Sequence, residues 1–175
     1  LGRSGGKNNA TIGIRDSNLF GTGIYFGLYH KTGVDRDENL ISFSDRELGN
    51  TRYGLTLAYS DNSDGTRAEV QYGRPFYSLE APRAFDVSLL NEDRVDSLYD
   101  RGRIQADYRH QIDQYSISTG ISSGLQDGWV KRYSIGLGFD EHRFSAGTGD
   151  DLPYTIIPED RKFFYPFLEW EMLED

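Results

Sequence analysis

The chain repeatedly places an apolar residue at every second position. Between residues 52 and 60 every odd position is Tyr or Leu, and every even position is Arg, Gly, Thr, Ala or Ser. A second run, residues 132–140, has Tyr, Ile, Leu and Phe at its odd positions and polar residues or Gly between them. Because successive side chains of a β-strand point to opposite faces, each run predicts a strand with one apolar and one polar face.

Tyrosines stand at both ends of the apolar stripe in residues 52–60. Soluble sheets rarely have this arrangement, whereas membrane β-barrels use aromatic residues as anchors at both lipid–water boundaries. The alternative is ordinary packing of the aromatic residues in a soluble β-protein. We expect most of the following residues to anchor the protein at a lipid–water boundary: Tyr25, Tyr29, Tyr53, Tyr59, Tyr72, Tyr77, Trp129, Tyr133 and Trp170.

Composition narrows the possible classes of protein. No apolar run approaches the roughly 18 to 20 residues of a membrane-spanning helix, so a closed barrel is the remaining way to span a membrane. The mean hydropathy of −0.63 is compatible with this, because a barrel alternates lipid-facing and lumen-facing residues. The net charge of −9, with scattered Lys and Arg, argues against nucleic acid as a partner. The chain has no Cys, which excludes disulfides and thiolate catalysis.

The sequence offers no recognisable catalytic motif. His30, His110 and His142 are far apart and have no metal-ligand spacing, so we interpret them as polar residues at strand ends or in a lumen. Residues 61–65 resemble a calcium loop only superficially and fit a turn between two strands better. We therefore predict no enzyme activity and no catalytic, cofactor-binding or metal-binding residues.

The strand pattern predicts an all-β fold, an antiparallel meander of about ten strands forming part of a transmembrane β-barrel. Residues 16–30 repeat in 45–59, which indicates a recurring β-hairpin. The predicted strands are 10–16, 23–33, 39–46, 52–60, 67–73, 84–91, 103–110, 114–122, 130–140 and 162–173.

The connections between these strands are predicted to alternate between short and long. The apolar positions change from even to odd within 103–122, which indicates a turn near residues 111–113 rather than one very long strand, although a bulge would also shift the phase. Residues 92–102 and 141–161 are predicted to be long connections, and the acidic segments 34–38 and 147–151 are expected to lie in water. We interpret residues 1–175 as one barrel domain, an incomplete fragment of a larger barrel.

Three segments together resemble the outer-membrane assembly factor superfamily, also called the bacterial surface antigen family. They are residues 16–23 (DSNLFGTG), 43–65 (FSDRELGNTRYGLTLAYSDNSDG) and 73–79 (GRPFYSL). The resemblance extends over about residues 10 to 172. It implies a sixteen-stranded barrel that inserts other proteins into, or translocates them across, the bacterial outer membrane. The implied partners are outer-membrane lipid and client outer-membrane or secreted polypeptides.

An incomplete barrel has open edges, which we expect to pair with the remaining strands or with a second copy. The alternative function is that of a soluble β-barrel binding a small hydrophobic ligand in an apolar lumen. Charged positions of both signs would suit a lumen, and would suit a solvated exterior nearly as well. These positions are Arg52, Arg67, Glu69, Asp86, Asp107, Arg109, Arg132 and Asp140.

Overall fold

The computed structural model describes residues 2–4, 7–33, 36–101, 103–147 and 157–175. A short strand β1 (Gly2–Ser4) pairs with the start of β2 (Lys7–Leu19). The remaining strands are β3 (Ile24–Thr32), β4 (Asp37–Asp45), β5 (Gly54–Asn62), β6 (Gly65–Arg74), β7 (Arg83–Asp100), β8 (Arg103–Gln126), β9 (Trp129–Ala146) and β10 (Arg161–Glu174). Within the described residues the only helix is the 3₁₀ turn Leu48–Asn50, and none is long and apolar enough to cross a membrane.

Every strand pairs antiparallel with the next one along the chain. This confirms the prediction of an all-β antiparallel meander. In the described part of the chain β10 pairs only with β9, and β1 pairs only with β2, so the sheet is open. The strands therefore form a continuous wall with two free edges rather than a closed barrel.

The predicted turn at residues 111–113 is wrong. β8 runs without interruption from Arg103 to Gln126 and pairs with β7 from Asp100 to Arg83. The apolar positions change because β8 is longer than the apolar stretch of its outer face. Tyr115 and Ile117 belong to that stretch, whereas Tyr108 points to the opposite face beyond it. The apolar period therefore changes without a change in chain direction.

The predicted long connection at 92–102 is also wrong, because β7 continues to Asp100 and turns tightly at Arg101, where φ is 49°. The connection between β9 and β10 is long, as predicted. Of the two acidic segments, residues 34, 35 and 148–151 lie outside the described residues.

The remaining connections have between two and eight residues, and the longest of them are residues 46–53 and 75–82. Between β8 and β9, Asp127 and Gly128 have φ values of 52° and 81°. Two successive positive φ angles are the geometry of the two-residue turn whose twist matches that of antiparallel strands. The sequence predicted tight connections at 17–22 and 46–51. The first is the four-residue connection 20–23, whereas the second is the longer segment 46–53, which contains the 3₁₀ turn. These connections place β2 through β10 side by side in one sheet.

Candidate functional site

One face of the sheet carries a continuous belt of exposed apolar side chains, which we call the apolar band. Residues paired directly across two antiparallel strands share a face, so the register assigns each side chain to one side. Val70 represents β6 in this band, and the other strands contribute large exposed side chains: Ile12, Ile14, Leu28, Ile41, Leu57, Leu89, Ile117, Ile135, Leu137 and Leu168. The band crosses the nine strands from β2 to β10.

The opposite face, which we call the concave face, is polar and curls inward. Thr56 of β5 and Tyr165 of β10 line the same cavity of about 440 Å³, although four strands lie between them in the sheet. The buried polar side chains Ser60, Glu92 and His142 all lie on this side. The sheet therefore bends with its polar face inside and its apolar face outside.

The apolar band crosses the strands obliquely. Gly13 marks the middle of the band in β2. If each residue is replaced by its paired residue on the next strand, eight such steps lead from Gly13 to Arg161 in β10. The middle of the apolar stretch of β10 is Leu168, seven residues further along. With a rise of about 3.4 Å per residue and a strand spacing of about 4.8 Å, this displacement corresponds to a tilt of roughly 30°. Membrane barrels have strand tilts of about 35–45°.

Several of the predicted aromatic anchors lie on the apolar face, towards the ends of the band. They are Tyr59, Tyr72, Trp129, Tyr133 and Trp170. Tyr115 lies at the other end of the band from Tyr133, and its hydroxyl donates a hydrogen bond of 3.1 Å to Asp113 outside the band. Aromatic rings with their polar tips directed away from an apolar belt are typical of a lipid–water boundary.

Other predicted anchors lie elsewhere. In β3 the apolar face carries the even positions, so Tyr25 and Tyr29 point to the concave face, where their hydroxyls lie 3.0 Å apart. Tyr77 belongs to the connection between β6 and β7, with the Arg52 guanidinium 3.9 Å from the centre of its ring. The alternation of apolar and polar residues around a single tyrosine therefore did not show on which face of the sheet the tyrosine lies.

A network of ion pairs on the concave face surrounds Glu92, whose side chain is 4% exposed. Arg67 approaches Glu92 to 2.8 Å, Arg94 to 3.4 Å and Arg36 to 4.0 Å. A carboxylate buried this deeply needs such partners, because burial without them would be costly. The network ties β6 and β7 to the connection between β3 and β4.

Most of the predicted charged lumen positions lie on the concave face, namely Arg67, Glu69, Asp86, Arg132 and Asp140. Asp107 and Arg109 do not, because β8 extends past the apolar band and its outer face becomes polar there. Arg109 makes two hydrogen bonds of 2.7 Å to Asp93, also beyond the band. These hydrogen bonds lower the pKa of Asp93 below its usual value.

Rings fill the concave face where strands carry glycine. Tyr165 lies over Gly138 and Phe167 over Gly136, so closely that a Cβ at either glycine would overlap the ring. The connection between β6 and β7 also folds inward, with the Arg132 guanidinium 4.7 Å from the centre of the Phe76 ring. These rings narrow the concave space at the end of the sheet that carries the connection between β6 and β7.

The fold separates one histidine from the other two. His30 is on the apolar face, where its Nδ1 lies 2.8 Å from Asn39 Oδ1. On the concave face, Nε2 of His110 lies 2.8 Å from Nδ1 of His142. Sequence reasoning missed this contact because it depends on the register of β8 with β9. Within the described residues no group of three or more His, Cys, Asp and Glu side chains is arranged to hold a metal ion.

Comparison of the chain with models of protein families, with curated proteins and with solved structures gives no match.

Proposed function

We propose that this chain forms part of the wall of a transmembrane β-barrel in the bacterial outer membrane. The observation that carries the proposal is the apolar band on the convex side of the sheet. Ile135 is 57% exposed and Leu168 is 80% exposed, and exposed apolar residues continue across neighbouring strands. Soluble monomers rarely expose a contiguous apolar patch larger than a few hundred Å². Lipid chains would cover this band, and the aromatic residues at its ends would lie among the head groups.

The oblique course of the band supports the same proposal. The lipid-facing residues of a barrel must form a belt parallel to the membrane, although the strands are tilted. The apolar stretch therefore shifts along the sequence of each strand relative to its neighbour, always in the same direction. The displacement of seven residues between β2 and β10 is a shift of this kind. A sheet covered by a soluble partner needs no such progression.

The free edge of β10 defines one partner. A main-chain group without a hydrogen bond costs several kcal/mol in hydrocarbon, so this edge requires another strand inside a membrane. We propose that further strands of the same barrel, or a second copy of this chain, supply it.

For the activity, we propose insertion of other proteins into the outer membrane or their translocation across it. The support is the resemblance of residues 16–23, 43–65 and 73–79 to the outer-membrane assembly factor superfamily. The concave face, with charges of both signs, offers a wetted surface compatible with an extended polypeptide. The clients would be outer-membrane or secreted polypeptides.

The alternative function, binding of a small hydrophobic ligand in a soluble barrel, requires the apolar residues to line the inside. In this sheet they lie on the convex side, and the cavity that Thr56 and Tyr165 share also contains Arg67 and Glu69. This distribution favours the membrane proposal over the alternative.

Partition into lipid vesicles tests the membrane proposal. Trp129 and Trp170 both lie on the apolar face and are 39% and 63% exposed. Variants W129F and W170F isolate the emission of each tryptophan. We expect a blue shift of both on addition of phosphatidylcholine vesicles, a β-type circular dichroism spectrum and resistance of the bound protein to salt extraction. A folded protein whose tryptophan emission does not change on addition of vesicles or micelles would contradict the proposal.

Site-specific cross-linking tests the proposed activity separately. A photoreactive amino acid at Ser88, on the concave face, should cross-link to an added unfolded outer-membrane polypeptide. The same group at Ile117, in the apolar band, is the matched control and should cross-link to lipid. Equal labelling of the polypeptide from both positions would refute a path along the concave face while leaving the membrane proposal intact.

A further inference from the structure

The turns that follow β2 and β4 have the same structure. In each, an aspartate, Asp16 or Asp45, accepts a hydrogen bond from the backbone N–H two residues further on. The hydroxyl of a threonine, Thr22 or Thr51, donates a hydrogen bond to the backbone carbonyl three residues earlier, at 2.6 and 2.7 Å. Two backbone hydrogen bonds within each turn also correspond. The sequence repeat of 16–30 in 45–59 is therefore a structural repeat in its turn as well.

One equivalent position differs in a way that the fold does not explain. Phe20 has a φ of 53°, and its counterpart Gly49 has a φ of 62°. Residues with a Cβ disfavour this conformation by roughly 5- to 30-fold, whereas glycine adopts it readily. The side chain of Phe20 is also 92% exposed, so it packs against little in the described part of the chain. A strained and exposed aromatic residue indicates a contact outside this chain.

Phe20 lies at the end of the sheet that carries the connections β2–β3, β4–β5, β6–β7 and β8–β9, which we call the Phe20 end. Each of these four connections has a large exposed apolar side chain within it or directly beside it. They are Phe20, Leu48, Tyr77 and Trp129. The described residues of the connections β3–β4, β5–β6 and β7–β8, at the opposite end, are all polar or glycine: Gly33, Arg36, Ser63, Asp64 and Arg101. The two ends of the sheet thus suit different surroundings.

The depth of Phe20 relative to the apolar band identifies its surroundings. Phe20 lies seven residues beyond Gly13, the middle of the band in β2. Trp129 lies seven residues from Gly136, the centre of the apolar run in β9. With a rise of about 3.4 Å per residue and a tilt of roughly 30°, seven residues reach about 20 Å from the middle of the band. The head-group layer of a bilayer lies about 15 to 22 Å from its centre, so Phe20 and Trp129 would share this layer.

We propose that Phe20 is a lipid anchor whose ring lies in the head-group layer, and that the four apolar tips seat the Phe20 end of the sheet there. The inference rests on the proposed membrane location of the apolar band. Removal of the ring from water offsets the strain of the backbone at this position. In the turn after β4, Leu48 supplies the apolar side chain from a neighbouring position, so the equivalent of Phe20 is free to be glycine.

Quenching of tryptophan emission by brominated lipids tests the depth of residue 20. The probe is F20W in a chain that also carries W129F and W170F, in phosphatidylcholine vesicles. R101W in the same background is the matched control, because Arg101 also has a positive φ, 49°, but lies at the opposite end. A chain that keeps Trp129 and carries W170F is the reference for the head-group layer.

We expect F20W to emit at a shorter wavelength than R101W. Lipids brominated close to the head group should quench F20W as strongly as they quench Trp129. Quenching of F20W no stronger than that of R101W, with Trp129 quenched, would overturn the anchor and leave the proposed membrane location intact. If bromine quenches none of the three, the membrane location fails and the anchor fails with it.

The sign of a stability change provides a second test. F20N removes the ring and introduces a residue that tolerates a positive φ better than Phe does. In urea titrations in vesicles, followed by tryptophan emission, we expect the ratio of folded to unfolded protein to fall about 3- to 10-fold, because the lost lipid contact outweighs the relieved strain. Adding G49F, which places a ring on the equivalent turn, should recover most of this loss. A rise in stability with F20N, or a further fall on adding G49F, would refute the anchor.

Discussion

Replacing Ile135 by Arg should show whether the apolar band faces lipid or water. Ile135 is near the middle of the band in β9, and its side chain is 57% exposed. An arginine on the lipid face of a barrel costs about 2–4 kcal/mol at the bilayer midplane. The same substitution on a surface in water changes stability by no more than about 0.5 kcal/mol. The two environments therefore differ by a measurable amount at a site that loses few protein contacts.

Val95 provides the matched control. It lies on the same face in β7, beyond the band, and is 37% exposed. In phosphatidylcholine vesicles, urea titrations followed by tryptophan emission should show I135R less stable by about 2–4 kcal/mol, a roughly 30- to 900-fold change in the ratio of folded to unfolded protein. V95R should stay within about 0.5 kcal/mol of the unchanged chain.

The comparison has a clear failing outcome. If I135R and V95R have the same urea midpoint in vesicles, the middle of the band does not face hydrocarbon. The reasoning from exposed apolar residues to a bilayer would then be refuted, even if the protein binds vesicles by another surface.

Three further predictions concern packing and charge. Gly136→Ala should cost about 1–3 kcal/mol in urea unfolding, because a ring from β10 already occupies the space of the new methyl group. Glu92→Gln should cost about 1–2 kcal/mol in the same assay, since three guanidiniums lose their shared carboxylate, whereas Glu69→Gln, a more exposed control, should cost less. Because the pKa of Asp93 is lowered, its carboxylate stabilises the fold above about pH 3.9, and this contribution is lost as the pH falls through the folded-state pKa. Arg109→Gln should therefore reduce the dependence of the unfolding free energy on pH, measured between pH 5 and pH 3.

The sequence predicted those parts of the fold in which each strand follows a simple local rule. Residues 132–140 alternate cleanly and form the centre of β9. β8 was misread as two strands because its apolar residues change faces where it leaves the apolar band, and a change of phase looks the same whether it marks a turn or the end of a band. Pairing with β7 removes the ambiguity, and that pairing is not a local property of the chain.

The candidate sites depended still more on tertiary structure. Alternation predicted that an apolar face exists, but whether it is convex or concave depends on the direction of bending, which brings Thr56 and Tyr165 to one cavity. His110 and His142 lie far apart in sequence and meet because β8 and β9 align them on one face. A two-residue turn alone would pair even-numbered residues of β8 with odd-numbered residues of β9, and the bulge between Ser122 and Leu125 is what puts both histidines on one face.

β8 is a 24-residue strand, and it extends from the apolar band at Tyr115 to Arg103. Those residues cover about 40 Å along the strand and, at a tilt of roughly 30°, about 35 Å above the band. A compact domain of 100 residues has a diameter of about 35 Å. Held in a bilayer, the β7–β8 hairpin would thus be a rigid spacer one protein diameter tall, and a large particle approaching the membrane beside it would touch the tip at Arg101 before it could reach lipid.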